Sequence, residues 1–107
     1  MLIYCAHRYG GDEANKASVE AKVRELQKND LQNTYISPIH AFGFMYNDVP
    51  YDRGIDMCLS LLAKCDALLV LSGESEGVRI EKTYAMLNGI PIYDERNWRV
   101  KEVKYVD

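Results

Sequence analysis

Residues 64–93, KCDALLVLSGESEGVRIEKTYAMLNGIPIY, decide the fold. Ala67 to Leu71 is an unbroken apolar run, the pattern of a strand buried on both faces. A polar turn follows at once, Ser72-Gly73-Glu74-Ser75-Glu76-Gly77. A helical pattern then begins, with Ile80, Tyr84 and Leu87 at i, i+4 and i+7. Gly89 stands where a helix ends, Pro91 prevents its continuation, and Ile90 to Tyr93 reads as the next buried strand. The stretch is therefore a βαβ unit whose turn opens at the carboxyl end of a parallel sheet, where open α/β sheets bind ligands. Inside that turn Ser75 stands at a helix start and Glu81 follows in the first turns of the helix. An acid there reads equally as a helix-dipole partner and as a functional group.

The rest of the chain repeats the alternation. Leu2 to Ala6 is a short apolar run and reads as the first, central strand. The loop His7-Arg8-Tyr9-Gly10-Gly11 has two glycines that let backbone approach a ligand, and an Arg suited to an anion. Asp12 is placed to cap a helix in which Ala14, Ala17 and Ala21 share one face and Val19, Val23 and Leu26 the adjoining one. The alanine face is expected to lie close to the sheet. Thr34 to Ile36 is a brief second strand. Ser37 to Gly43 connects it at the carboxyl edge and carries His40 and Phe42. Phe44 to Pro50 is a mixed loop, a lid or a subunit contact. Tyr51 to Lys64 is a helix with Ile55, Cys58, Leu59 and Leu62 toward the sheet, and with Asp52 and Asp56 at its start. Asp66 is expected at the amino end of the sheet, as a cap or ion-pair partner. A last edge strand is read at Val103 to Val106. Right-handed crossovers turn this order into a three-layer α/β/α sandwich with a mostly parallel short sheet, flavodoxin-like or Rossmann-like.

The 107 residues are read as one domain over residues 1–107, and 48% hydrophobic residues suffice for one core. A formal net charge of −3 argues against a nucleic-acid polymer as partner. The three cysteines are never spaced CxxC and sit in apolar settings, so reduced thiols and a cytoplasmic location are expected. No signal-like or membrane-spanning run is present, so no membrane partner is expected. His40 and His7 have no companions at metal-ligand spacing, and no metal or other cofactor is implied. Eight tyrosines are many for this length; they suit a small-molecule pocket or an oligomer interface, and a homo-oligomer is expected. Walker-type, nucleophile-elbow and zinc-protease motifs are absent.

On particular residues the chain resembles the nucleoside 2-deoxyribosyltransferase-like superfamily, above all its small bacterial and phage domains of unknown function. The pattern is Cys65-Asp66-Ala67-Leu68-Leu69-Val70-Leu71, then Ser75-x-Gly77-Val78-x-x-Glu81-x-x-x-Ala85, then Gly89-Ile90-Pro91-Ile92. Ile3 to Ala6 with Gly10-Gly11, and Ser37 to Phe42, also fit. The resemblance implies an N-glycosidase or deoxyribosyltransferase acting on a nucleoside or nucleotide. Glu81 would be the nucleophile and Asp56 the assisting acid, with Ser75 and Gly77 at the phosphate. Tyr4, His7, Arg8, Tyr9 and Gly10 would line the sugar or phosphate end, and His40 and Phe42 the base. The characterised enzymes carry an aspartate where this chain has Cys58. A non-catalytic nucleotide-binding or sensor module of the same fold is the alternative.

Overall fold

The computed structural model describes residues 1–99. In chain order they form β1 (Leu2–Ala6), α1 (Glu13–Asn29), β2 (Thr34–Ile36), α2 (Pro38–Phe42), a 3₁₀ turn (Gly43–Met45), α3 (Tyr51–Leu62), β3 (Ala67–Val70), α4 (Glu76–Leu87) and β4 (Ile92–Asp94). The four strands make one all-parallel sheet in the order β2-β1-β3-β4. A right-handed crossover from β1 out to β2 puts α1 on one face. The crossovers from β2 to β3 and from β3 to β4 run the other way, so α3 and α4 share the opposite face. This is the doubly wound, flavodoxin-like or Rossmann-like α/β sandwich, and its switch point lies between β1 and β3. The expected edge strand at Val103 to Val106 lies outside the described residues. No helix among the described residues is long and apolar enough to cross a membrane.

The pleat sorts the core into two sides. Ile3, Cys5, Ala67 and Leu69 meet Val19 on the α1 side. Tyr4, Ala6 and Leu68 meet Leu62 and Ala85 on the α3/α4 side. The register fixes this: Tyr4 pairs with Ile36 and Leu68, and Leu68 with Ile92, so one row of side chains crosses the whole sheet toward α3 and α4. Asp66 has its expected place at the amino end, where its Oδ2 accepts the Leu2 N–H at 2.7 Å and its own N–H donates to the Leu2 carbonyl.

Three expectations change. Helix α1 meets the sheet through Val19, Val23 and Leu26, while Ala14, Ala17 and Ala21 face solvent; the branched side chains bury more apolar surface than alanine does. Helix α4 buries Val78, Glu81 and Ala85 rather than Ile80, Tyr84 and Leu87, and Leu87 is largely exposed. Strand β4 starts two residues later than expected. The Ile90 N–H closes the end of α4 on the Ala85 carbonyl at 2.9 Å, with Gly89 at φ 70°, which takes Ile90 into the helix exit.

Candidate functional site

The segments at the carboxyl edge of β1, β2 and β3 enclose a cavity of about 530 Å³, within the range of small-molecule sites. The first of them leaves β1 through His7 and Arg8 and turns at Tyr9-Gly10-Gly11-Asp12, where the Asp12 N–H reaches the Tyr9 carbonyl at 3.0 Å. Gly10 and Gly11 both hold positive φ, 61° and 73°, which only glycine adopts freely in succession. Asp12 caps α1 by accepting the Ala14 N–H. The Arg8 N–H donates to Ser72 Oγ at 2.9 Å and ties the first segment to the turn after β3. The Arg8 guanidinium packs over Gly73 and has no carboxylate partner among the described residues.

His7 is buried. Its Nδ1 lies 2.6 Å from the Arg8 carbonyl, so that nitrogen carries the proton and Nε2 accepts from the Ser18 hydroxyl at 3.2 Å. The turn after β3 leads into α4, and Ser75 caps it by accepting the Val78 N–H at 3.2 Å. The Ser75 proton stays free to donate, at a helix start that favours anions.

Glu81 stands on the cavity floor. It occupies a sheet-facing position of α4 between Val78 and Ala85 and is 6% exposed. Burial pushes its carboxyl up to about 7, with Tyr4 pulling back weakly. Opposite stand the Tyr4 hydroxyl from β1 and the Cys58 thiol from α3. The Tyr4 Oη is fully enclosed and approaches both Glu81 and Cys58, yet forms no well-shaped hydrogen bond with any described residue. Its pKa is raised strongly, first by burial and then by the charge of Glu81. Burial likewise pushes the Cys58 thiol up to about 11, with Glu81 adding to it. The floor is therefore a carboxyl, a phenol and a thiol, all favouring their neutral forms, with no cation beside them among the described residues.

The walls are aromatic and apolar. Phe42, Tyr9, Tyr46 and Tyr51 line the cavity together with Ile39, Met45 and Ile55. Tyr9 and Tyr46 meet edge to face, ring centroids 5.2 Å apart. The Tyr51 phenol is raised by partial burial and by Glu76, the other carboxyl that lines the cavity.

Of the residues expected in the site, His7, Arg8, Tyr9, Gly10, Phe42, Ser75, Gly77 and Glu81 line this cavity, and Tyr4 lies just beneath it. Two do not. His40 points away because Pro38, Ile39 and Phe42 take the inward side of α2. Its Nδ1 meets Ser37 Oγ at 2.8 Å and its Nε2 meets Glu20 of α1 at 3.3 Å. Asp56 is exposed because α3 presents Tyr51, Gly54, Ile55 and Cys58 to the cavity, and residue 56 falls on the far side. Tyr46, Tyr51 and Glu76 join the site without having been singled out; Tyr46 within the Phe44 to Pro50 loop and Tyr51 just after it were the available signal. No protein-family profile, curated protein or solved structure matches the chain.

Proposed function

We propose that this protein is a nucleoside- or nucleotide-directed enzyme of the N-glycosidase or deoxyribosyltransferase type, with Glu81 as its nucleophile. The observation that carries the reading is Glu81 itself, an almost fully buried carboxyl on the floor of a cavity with no cationic partner among the described residues. An acid in a sheet-facing helix position costs stability, and such costs gather at functional sites. The resemblance of the Ser75 to Glu81 turn to the deoxyribosyltransferase-like superfamily supports the same reading.

In the proposed reaction the ionised Glu81 carboxylate attacks the anomeric carbon as the bond from that carbon to the base nitrogen breaks. The electron pair leaves with the base, which takes up a proton from water; Glu76 is the other carboxyl that lines the cavity. Water or a second base then displaces Glu81 from the sugar ester. The cation-like transition state is complementary to a carboxylate held in apolar surroundings. Arg8, the Ser75 hydroxyl and the Gly77 amide are suited to a 5′-phosphate, and Phe42 and Tyr9 to a flat base. We further propose a homo-oligomer, since Phe44, Met86 and Leu87 are 79%, 68% and 77% exposed, and a cytoplasmic setting for the free cysteines.

One observation favours a second reading, a nucleotide-binding or sensor module without turnover. Cys58, a weak acid, stands beside Glu81 where the resemblance calls for an aspartate, and Asp56 faces solvent. Base release from a panel of 2′-deoxynucleosides and their 5′-monophosphates, by wild type and Glu81→Gln, separates the two. Release by wild type alone supports the enzyme. Saturable nucleotide binding without release supports the module.

A further inference from the structure

The segment from Gly43 to Pro50 is a strap between α2 and α3 that lines the cavity with Gly43, Met45, Tyr46, Val49 and Pro50. It consists of short turns closed by the Tyr46 N–H to the Gly43 carbonyl at 3.0 Å and the Asp48 N–H to the Met45 carbonyl at 2.9 Å. No residue from 43 to 50 is buried, so no core contact anchors the strap. It meets the β1–α1 turn through two reciprocal contacts. A Cβ on Gly11 would stand 2.9 Å from the Tyr46 ring, and a Cβ on Gly43 would stand 3.3 Å from the Tyr9 hydroxyl. Each segment thus seats its tyrosine on the other's glycine, and the two rings meet edge to face between them. All four residues except Gly11 line the cavity.

We propose that these contacts form a latch, and that its release lets the strap swing away and admits the small-molecule ligand. An edge-to-face pair whose second ring is 40% exposed is a weak contact, so the open form is populated in the absence of ligand. The glycines serve the closed form, because a side chain at residue 11 would overlap the Tyr46 ring. The inference concerns entry to the cavity and does not depend on what is bound or on whether it is cleaved.

Cys58 provides a reporter, since its thiol lines the cavity while Cys5 and Cys65 are buried in the core. The test is the rate of alkylation of the full chain by N-ethylmaleimide, resolved by cysteine with mass spectrometry, for wild type, Tyr46→Ala and Tyr46→Phe. A latch makes Cys58 react about 3 to 10 times faster in Tyr46→Ala, the change that loss of one aromatic pair allows. Tyr46→Phe, which keeps the ring edge, stays at the wild-type rate, and Cys65 does not change in either variant. An unchanged Cys58 rate in Tyr46→Ala overturns the latch. So does an equal rise at Cys65, which traces the effect to loosening of the whole fold.

Discussion

At the scale of single residues, Glu81 is where folding stability and the proposed function pull against each other. Its carboxyl is held up at about 7 by burial, against an ordinary value of 4.5. The folded chain therefore binds this proton more tightly than the unfolded chain does. The stability this contributes is full below about pH 4.5 and is lost as pH rises through 7. A shift of this size corresponds to roughly 3 kcal/mol. Glu81→Gln should match wild type near pH 4.5 and exceed it by about that amount at pH 8, in urea unfolding at both values. A constant difference across that range would mean that Glu81 is not buried as a carboxyl. The sequence marked Glu81 through its distance from Ser75, but not its inward direction. Ile80, Tyr84 and Leu87 make an equally good helical stripe, and the small residue at Ala85 decided which stripe could approach the sheet.

At the scale of elements, the corner between α1 and β2 is held by one carboxylate. Asp30 accepts the Gln32 and Asn33 N–H groups, the Asn33 side-chain amide and the Tyr35 hydroxyl at 2.6 Å. The Tyr35 oxygen in turn accepts Trp98 Nε1–H at 2.9 Å and links the segment after β4 to the same corner. Burial opposes the charge on Asp30, but these hydrogen bonds outweigh it and hold the carboxyl down at about 2. Asp30→Ala leaves the buried Tyr35 hydroxyl and the part-buried Gln32 and Asn33 donors without this acceptor and should cost about 1 to 3 kcal/mol at pH 7. The gap should narrow as pH falls from 4 toward 2, since wild type loses this contribution over the same interval. Fluorescence of Trp98 during denaturant unfolding would report it, and a gap independent of pH would contradict the network. None of this is visible in the sequence from Lys28 to Asn33, because side-chain partners depend on a turn geometry that periodicity does not encode. Helix α2 and the strap were likewise read as loop, being too short for a period to register.

At the scale of the whole molecule, the legible part was the alternation. Apolar runs at Leu2 to Ala6 and Ala67 to Leu71, separated by helical patterns, imply parallel strands. The handedness of crossovers then leaves few orders besides β2-β1-β3-β4. That topology brings the segment after β1 and the turn after β3 together at the switch point, and Arg8 and Ser72 meet there. It could not tell which side of the segment after β2 would face inward, so His40 was included and Tyr46 was not; Asp56 was included on the resemblance alone, two residues from the sheet-facing Cys58. The exposed Phe44, Met86 and Leu87 lead to an expectation for assembly. Light scattering should give a mass above that of one 12.3 kDa chain, and Phe44→Ser should shift it toward the monomer. A monomeric wild type would contradict the proposed oligomer.

The proposed attack of Glu81 on the sugar is open to a base-release assay. Purified protein is incubated with 2′-deoxynucleosides and their 5′-monophosphates between pH 5 and 9, and free base is followed by chromatography. Release should rise to a plateau above about pH 7, where Glu81 is ionised, and fall by about 10³-fold or more in Glu81→Gln. No release by wild type at any pH, or release that survives Glu81→Gln, would contradict it.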